Sequence, residues 1–148
     1  ADWKNGLVIV DVSDPENPNE VGHYDTTGMS MGVAISSDYA YVADGANGLV
    51  IVNVNDPENP NEVGHYDTST EANDVAMNGD YAYLADGANG LVIVDINDPE
   101  NPAKAGYYST SDQALGVVIS GNYAYVADYD NGLVIVDVSN PENPTGAG

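Results

Sequence analysis

The chain contains no cysteine, which excludes disulfides and thiolate chemistry without fixing a compartment. Basic residues are almost as scarce. Lys4 and Lys104 stand against 24 carboxylates in 148 residues, for a net charge of −22. Nucleic-acid binding runs on Lys and Arg neutralising phosphates, so a nucleic-acid partner is excluded; anionic membrane surfaces, which draw the same side chains, are disfavoured. A surface of this sign favours divalent cations, cationic partners and solubility at high salt, and it suits an extracellular or cell-surface setting. No apolar run reaches the length of a membrane span, so no membrane insertion is expected, and no signal peptide is discernible. The chain opens Ala1-Asp2-Trp3 without an initiator Met, as a processed product or a fragment would.

What is present is a repeat. Gly-Leu-Val-Ile-Val begins at Gly6, Gly48, Gly90 and Gly132, each 42 residues after the last. A period of this size with several short strand patterns per unit reads as a propeller blade or a solenoid turn. The unit from Thr26 to Asp67 holds four such segments: Met31–Ile35, Tyr39–Ala43, Leu49–Val54 and Glu62–Tyr66, separated by turn residues. The next unit repeats them at Val75–Met77, Tyr81–Ala85, Leu91–Ile96 and Ala105–Ser109. The third segment is apolar on both faces, as a strand between stacked sheets must be. The second sets Tyr39 and Tyr41 against Ala40 and Val42, a large and small alternation on which facing sheets can interdigitate. With no helical periodicity, the pattern predicts an all-β fold.

The unit resembles the LVIVD repeat, a β-propeller family of bacterial and archaeal cell-surface proteins. The match lies in Tyr-Ala-Tyr-Val-Ala-Asp at Tyr39 and Tyr123, its variant Tyr81–Asp86, and Gly-Leu-Val-Ile-Val with Asp11, Asp95 and Asp137 following. Asn53 replaces that Asp in the second copy, and Asn140 replaces the first Asp of Asp-Pro-Glu-Asn-Pro in the last. The resemblance covers nearly the whole chain and implies a β-propeller of 42-residue four-stranded blades, in a family of surface-exposed, multi-domain proteins with few assigned activities. Fold alone does not license a function.

The chain holds about 3.5 repeats. The expected division is a half blade at 1–25, blades at 26–67 and 68–109, and a partial, three-stranded blade at 110–148. Closed propellers use four to eight blades, so an arc of this length leaves apolar faces for something to cover. A homodimer closing one ring, the remainder of a longer chain, or an open filament of copies would each do so. In the dimer, Leu7–Val12 and Leu133–Val138 compete for one strand position.

Two groups of candidate site residues emerge. The loops after the third strands offer Asp11, Asp14 and Glu16, then Asp56 and Glu58, then Asp98 and Glu100, and calcium takes such oxygens. Asp-Pro-Glu-Asn is also what a type I turn requires, and the EF-hand pattern is missing. No cofactor is required; calcium is the one these loops allow. Asp44, Asp86 and Asp128 read as solvated turn residues, and His23 and His65 as strand-edge residues one blade apart. The second group lies where the repeats differ. Thr26–Met31 aligns with Thr68–Asn73 and Thr110–Leu115, in the connection from one outer strand to the next inner strand. Met29, Met31, Glu71, Asn73, Asp74, Asp112 and Gln113 are expected to form a ligand-binding loop face near the central channel. Trp3 and Tyr129 join them, since each replaces the Gly found at positions 45 and 87.

No nucleophile–base pair or preferred carboxylate pair stands out, and no enzyme is expected. The expected function is an interaction or adhesion module binding a protein or glycan. The alternatives are a structural spacer of a surface layer and a fragment of a propeller hydrolase.

Overall fold

The computed structural model describes all 148 residues, and apart from one short 3-10 turn its regular structure is β-strand. The half blade pairs β1 (Leu7–Asp11) with β2 (Asn19–Tyr24), in the third and fourth strand positions of the repeat. Two complete antiparallel sheets follow. The second blade has β3 (Gly32–Ser36), β4 (Tyr39–Ala43), β5 (Leu49–Asn53) and β6 (Asn61–Tyr66). The third has β7 (Asp74–Asn78), β8 (Tyr81–Ala85), β9 (Leu91–Asp95) and β10 (Ala103–Tyr108). The last blade has β11 (Ala114–Ser120), β12 (Tyr123–Asp128), β13 (Leu133–Asp137) and β14 (Thr145–Gly146). The three strands expected there are thus joined by a fourth of two residues, held by Val136 opposite Gly146 and Asp137 opposite Thr145. The blades form an arc, not a closed ring.

Each blade packs a front face on the back of the next. Tyr41, Ala43, Leu49 and Ile51 meet Ala72, Val75, Ala82, Leu84, Val92 and Val94 in one core. Tyr83, Ala85, Leu91 and Ile93 meet Ala114, Val117, Ala124, Val126 and Val136 in the next. The alternation read from Tyr39–Val42 is thus the packing device: a large front residue, Tyr41 or Tyr83, fits over the small Ala82 or Ala124 of its neighbour.

Two backbone devices set the spacing between blades. At the outer end, a bulge disturbs the pairing of the fourth strand with the third, between Ile9 and Val10 and between Ile51 and Val52. Just beyond it in each repeat sits a glycine against which the next blade's Asp-Pro-Glu-Asn-Pro loop closes. A Cβ on Gly22, Gly64 or Gly106 would overlap the carbonyl oxygen of Pro57, Pro99 or Pro141. At the inner end, bridges join Trp3 to Ser30, Gly45 to Ala72 and Gly87 to Ala114.

Candidate functional site

The inner-end bridge demands an unusual backbone. Trp3, Gly45, Gly87 and Tyr129 occupy the same repeat position with φ of 45°, 57°, 46° and 39°. Glycine takes this left-handed conformation freely, whereas a bulky side chain held there costs about 1–3 kcal/mol. Two repeats therefore carry an aromatic where the interior ones carry glycine, against the local backbone preference.

Trp3 projects to the surface, 56% exposed. It lines an open concavity of about 480 Å³ with Ala1, Asp2, Ser30, Met31, Asn73 and Leu115. Met31, Asn73 and Leu115 are repeat mates at the entry to successive inner strands, so the arc brings one residue from each of three blades to the same end of the molecule. Of the sequence-predicted ligand residues, Trp3, Met31 and Asn73 meet here. Leu115 was missed, although its period relation to Met31 and Asn73 carried the signal.

The others lie elsewhere. Met29, Glu71 and Gln113 are exposed, and Asp112 half-buried, on the connecting loops outside the concavity. Tyr129 is 63% exposed at the corner of the last blade. Asp74 serves the scaffold: its carboxylate accepts Val75 N–H at 2.9 Å and Val117 N–H of the next blade at 3.0 Å. Asn73 belongs to both groups, since its Nδ2 donates to the Ala114 carbonyl at 2.9 Å while the residue lines the concavity.

The reading of Asp44, Asp86 and Asp128 as solvated turn residues is overturned, because all three are fully buried. Each closes the corner after a second strand, with backbone N–H donated to the carbonyl of Gly48, Gly90 or Gly132 at 2.7–2.8 Å. A buried carboxylate needs donors, and the three blades supply them unequally. Asp44 Oδ1 accepts Thr26 Oγ1 at 2.6 Å and Ser30 Oγ at 2.8 Å, and its Oδ2 accepts Gly28 N–H and Asn47 Nδ2. In the later blades Ser30 becomes Ala72 and Ala114, and the Thr68 and Thr110 hydroxyls turn to backbone carbonyls. Asp86 keeps Asn89, and Asp128 keeps Asn131 and Asp112 N–H, all on Oδ2. Oδ1 of both is left without a partner.

The acidic loops are occupied by turn chemistry. Asp14, Asp56 and Asp98 each accept the backbone N–H of the Glu two residues on (Glu16, Glu58 and Glu100) and the side-chain amide of the Asn three residues on. Asp11 accepts Ser13 N–H at 2.8 Å, as Asp137 accepts Ser139 N–H at 2.9 Å. These bonds to the ionised form hold Asp11, Asp14 and Asp137 below the ordinary Asp range. No three His, Cys, Asp or Glu side chains converge at one point.

His23 and His65 lie in β2 and β6, each bracketed by two carboxylates: Glu20 and Asp25 at 3.4 and 3.2 Å, Glu62 and Asp67 at 3.7 and 3.2 Å. Their repeat mate is Tyr107, whose ring lies 4.1 Å from Lys104 Nζ. Glu62 also accepts the Tyr24 hydroxyl of the preceding blade at 2.8 Å, and burial together with this bond pushes Tyr24 up to about 12.

Comparison with known proteins agrees with this geometry. The model of the LVIVD repeat matches residues 1–26, 27–68, 69–110 and 112–148. The chain belongs to the LVIVD-repeat family. The match runs through all four units, so the half blade and the last blade are repeats of the same kind as the interior ones. Among solved structures, the chain is similar to a functionally unknown protein from Desulfotomaculum acetoxidans DSM 771, with a TM-score of 0.77 at 19% identity. That likeness covers all of this chain and 50% of the other, so the chain spans half the length of its structural relative and shares its fold. No curated protein matches the chain.

Proposed function

We propose that this LVIVD-repeat arc is a non-catalytic interaction module acting outside the cell, and that it grips an apolar side chain of a protein partner in the concavity around Trp3. The observation that carries this reading is Trp3 itself, an exposed aromatic kept in a left-handed backbone conformation beside Met31 and Leu115, exposed by 41% and 44%. Strain of this kind persists where the surrounding structure or the function requires it, aromatic and Met side chains are enriched at protein interfaces, and Trp is enriched among binding hot spots. The net charge of −22 adds selectivity for a partner with basic flanks and speeds its approach. The strongly acidic surface supports the extracellular placement. A protein ligand is preferred over a glycan because three of the lining side chains, Trp3, Met31 and Leu115, are apolar, and the amide of Asn73 is already engaged.

Trp3 is the only tryptophan, so its fluorescence reports on the site directly. Titration with model peptides bearing one Leu or Phe between lysines is expected to give a saturable shift that Met31→Asp and Leu115→Asp, which both keep the Trp3 reporter, abolish. A response to neutral oligosaccharides and not to the peptides would make the module a lectin. Silence with both classes would leave the spacer role and overturn the proposal.

A further inference from the structure

The molecule carries its own template for what covers its two open ends. In the interior, the front of one blade meets the back of the next with Leu49, Leu91, Ile51 and Ile93 fully buried. On the front of the last blade the mate of Leu49 and Leu91 is unburied, Leu133 being 60% exposed, and on the same face Val118, at the position of Ala34 and Ala76, is 64% exposed. Tyr125 and Ile135 are half-buried where Tyr41 and Tyr83, Ile51 and Ile93 are buried. The opposite end shows the complementary deficit. On the back of the half blade Val10 is 45% exposed, whereas its repeat mates Val52 and Val94 are fully buried. Beside it, Val33 and Ile35 are exposed by 40% and 62% on the back of β3. They border an entirely apolar groove of about 340 Å³ shared with Leu7, Val8, Ile9 and Ala40.

The backbone contact between blades is interrupted at the same two places. Pro57, Pro99 and Pro141 each close on a glycine of the preceding blade, whereas Pro15 has none beneath it. Gly148, the repeat mate of Gly22, Gly64 and Gly106, has none of those proline carbonyls above it.

We infer that the open front of one copy docks on the open back of a second copy, head to tail. In this arrangement Leu133 and Ile135 take the place over Val8 and Val10 that Leu91 and Ile93 take over Val134 and Val136, and the Pro15 loop closes on Gly148. The half blade then follows the last blade as one more repeat, and neither β1 nor β13 is displaced, contrary to the seam competition that strand counting predicts. The two faces are different surfaces, so the contact is heterologous, closing into a ring or extending as a filament according to the rotation per copy. Each copy carries −22, and repulsion between them is screened by salt while burial of the apolar faces is not. Association therefore strengthens with ionic strength, the reverse of a salt-bridged interface.

Sedimentation equilibrium of the intact chain tests this, from low to molar salt. The expected result is reversible growth from the 15.4 kDa monomer to dimers and larger species, favoured by salt. Val10→Asp and Leu133→Asp change exposed positions, so each variant keeps the circular dichroism spectrum of the wild type and loses self-association by at least 100-fold. Mixing the two variants is the decisive arm. Each retains one intact face, so the mixture forms a heterodimer of twice the chain mass and stops there. Three results would each overturn the inference: a wild type that stays monomeric throughout, as when these faces serve only further blades of a longer chain; variants that still associate; or a mixture that does not pair.

Discussion

Leu91 and Leu133 sit in the same Leu-Val-Ile-Val-Asp pentapeptide, at the same point of the same kind of strand, yet one is wholly buried and the other 60% exposed. The difference comes from the neighbour and not from the residue. Burial in this fold is conferred blade by blade, by whatever stacks on each face, so identical sequence carries unequal energetic weight at the centre and at the ends. The corner carboxylates make the same point in polar terms. Asp44, Asp86 and Asp128 are equally buried, but only Asp44 receives hydroxyl donors on its inner oxygen.

Substitution at both members of a pair sharpens the contrast. Leu91→Ala should lower the unfolding free energy by about 2–5 kcal/mol through lost burial and a residual cavity. Leu133→Ala should stay within about 0.5 kcal/mol in the monomer. Equal losses in denaturant titrations would show that the last face is covered in solution. Next in size is Gly64→Ala, whose methyl would run into the Pro99 carbonyl and should cost about 1–3 kcal/mol as overpacking. The same change at Gly148 should be silent in dilute monomer.

Smaller and opposite in sign is Ala72→Ser. It should place a hydroxyl at the unpartnered Asp86 Oδ1, as Ser30 does for Asp44, and raise stability by about 1 kcal/mol. A drop in melting temperature would mean that oxygen already has a donor. Tyr24 gives a pH test. Its folded pKa is raised to about 12 from 10.0, so its contribution is fully present below pH 10 and is lost as pH rises toward 12. Tyr24→Phe should flatten the part of the alkaline fall in melting temperature that Tyr24 carries; an unchanged profile would assign that fall to Tyr41, Tyr66 and Tyr83, whose pKa values burial also raises. Smallest of all, Asp56→Asn should be nearly neutral, because the last repeat already uses Asn140 Oδ1 to accept Glu142 N–H.

Strand positions were legible because the period-2 alternation and the turn residues recur every 42 residues, and repetition turns a weak local signal into a firm one. The turn role of the Asp-Pro-Glu-Asn loops followed from the same local chemistry. The burial of Asp44, Asp86 and Asp128 was not legible, because a carboxylate between a strand and a turn reads as a surface residue until the loop that enters the same blade, about 16 residues earlier in the chain, folds over it, as Gly28 does at Asp44 and Asp112 at Asp128. Asp74 misled for a related reason: its partner, Val117 N–H, lies on a different blade. The short β14 was hidden too, since two residues carry no periodicity. At the concavity, Trp3 stood out as a departure from glycine, but its meeting with Met31, Asn73 and Leu115 depends on the curvature of the arc, which composition does not encode.

The proline carbonyl that closes on a bulge glycine always comes from a residue 35 positions further along the chain, as Pro57 does for Gly22 and Pro99 for Gly64. A contact of that form is indifferent to how many units stand on either side. An in-frame gain or loss of one 42-residue segment breaks none of these contacts and creates none that is new, so the gene can lengthen or shorten the arc by unequal recombination without inventing an interface. For such a protein, length is a heritable variable separate from fold, and selection can tune the span of the arc while every blade remains the same object.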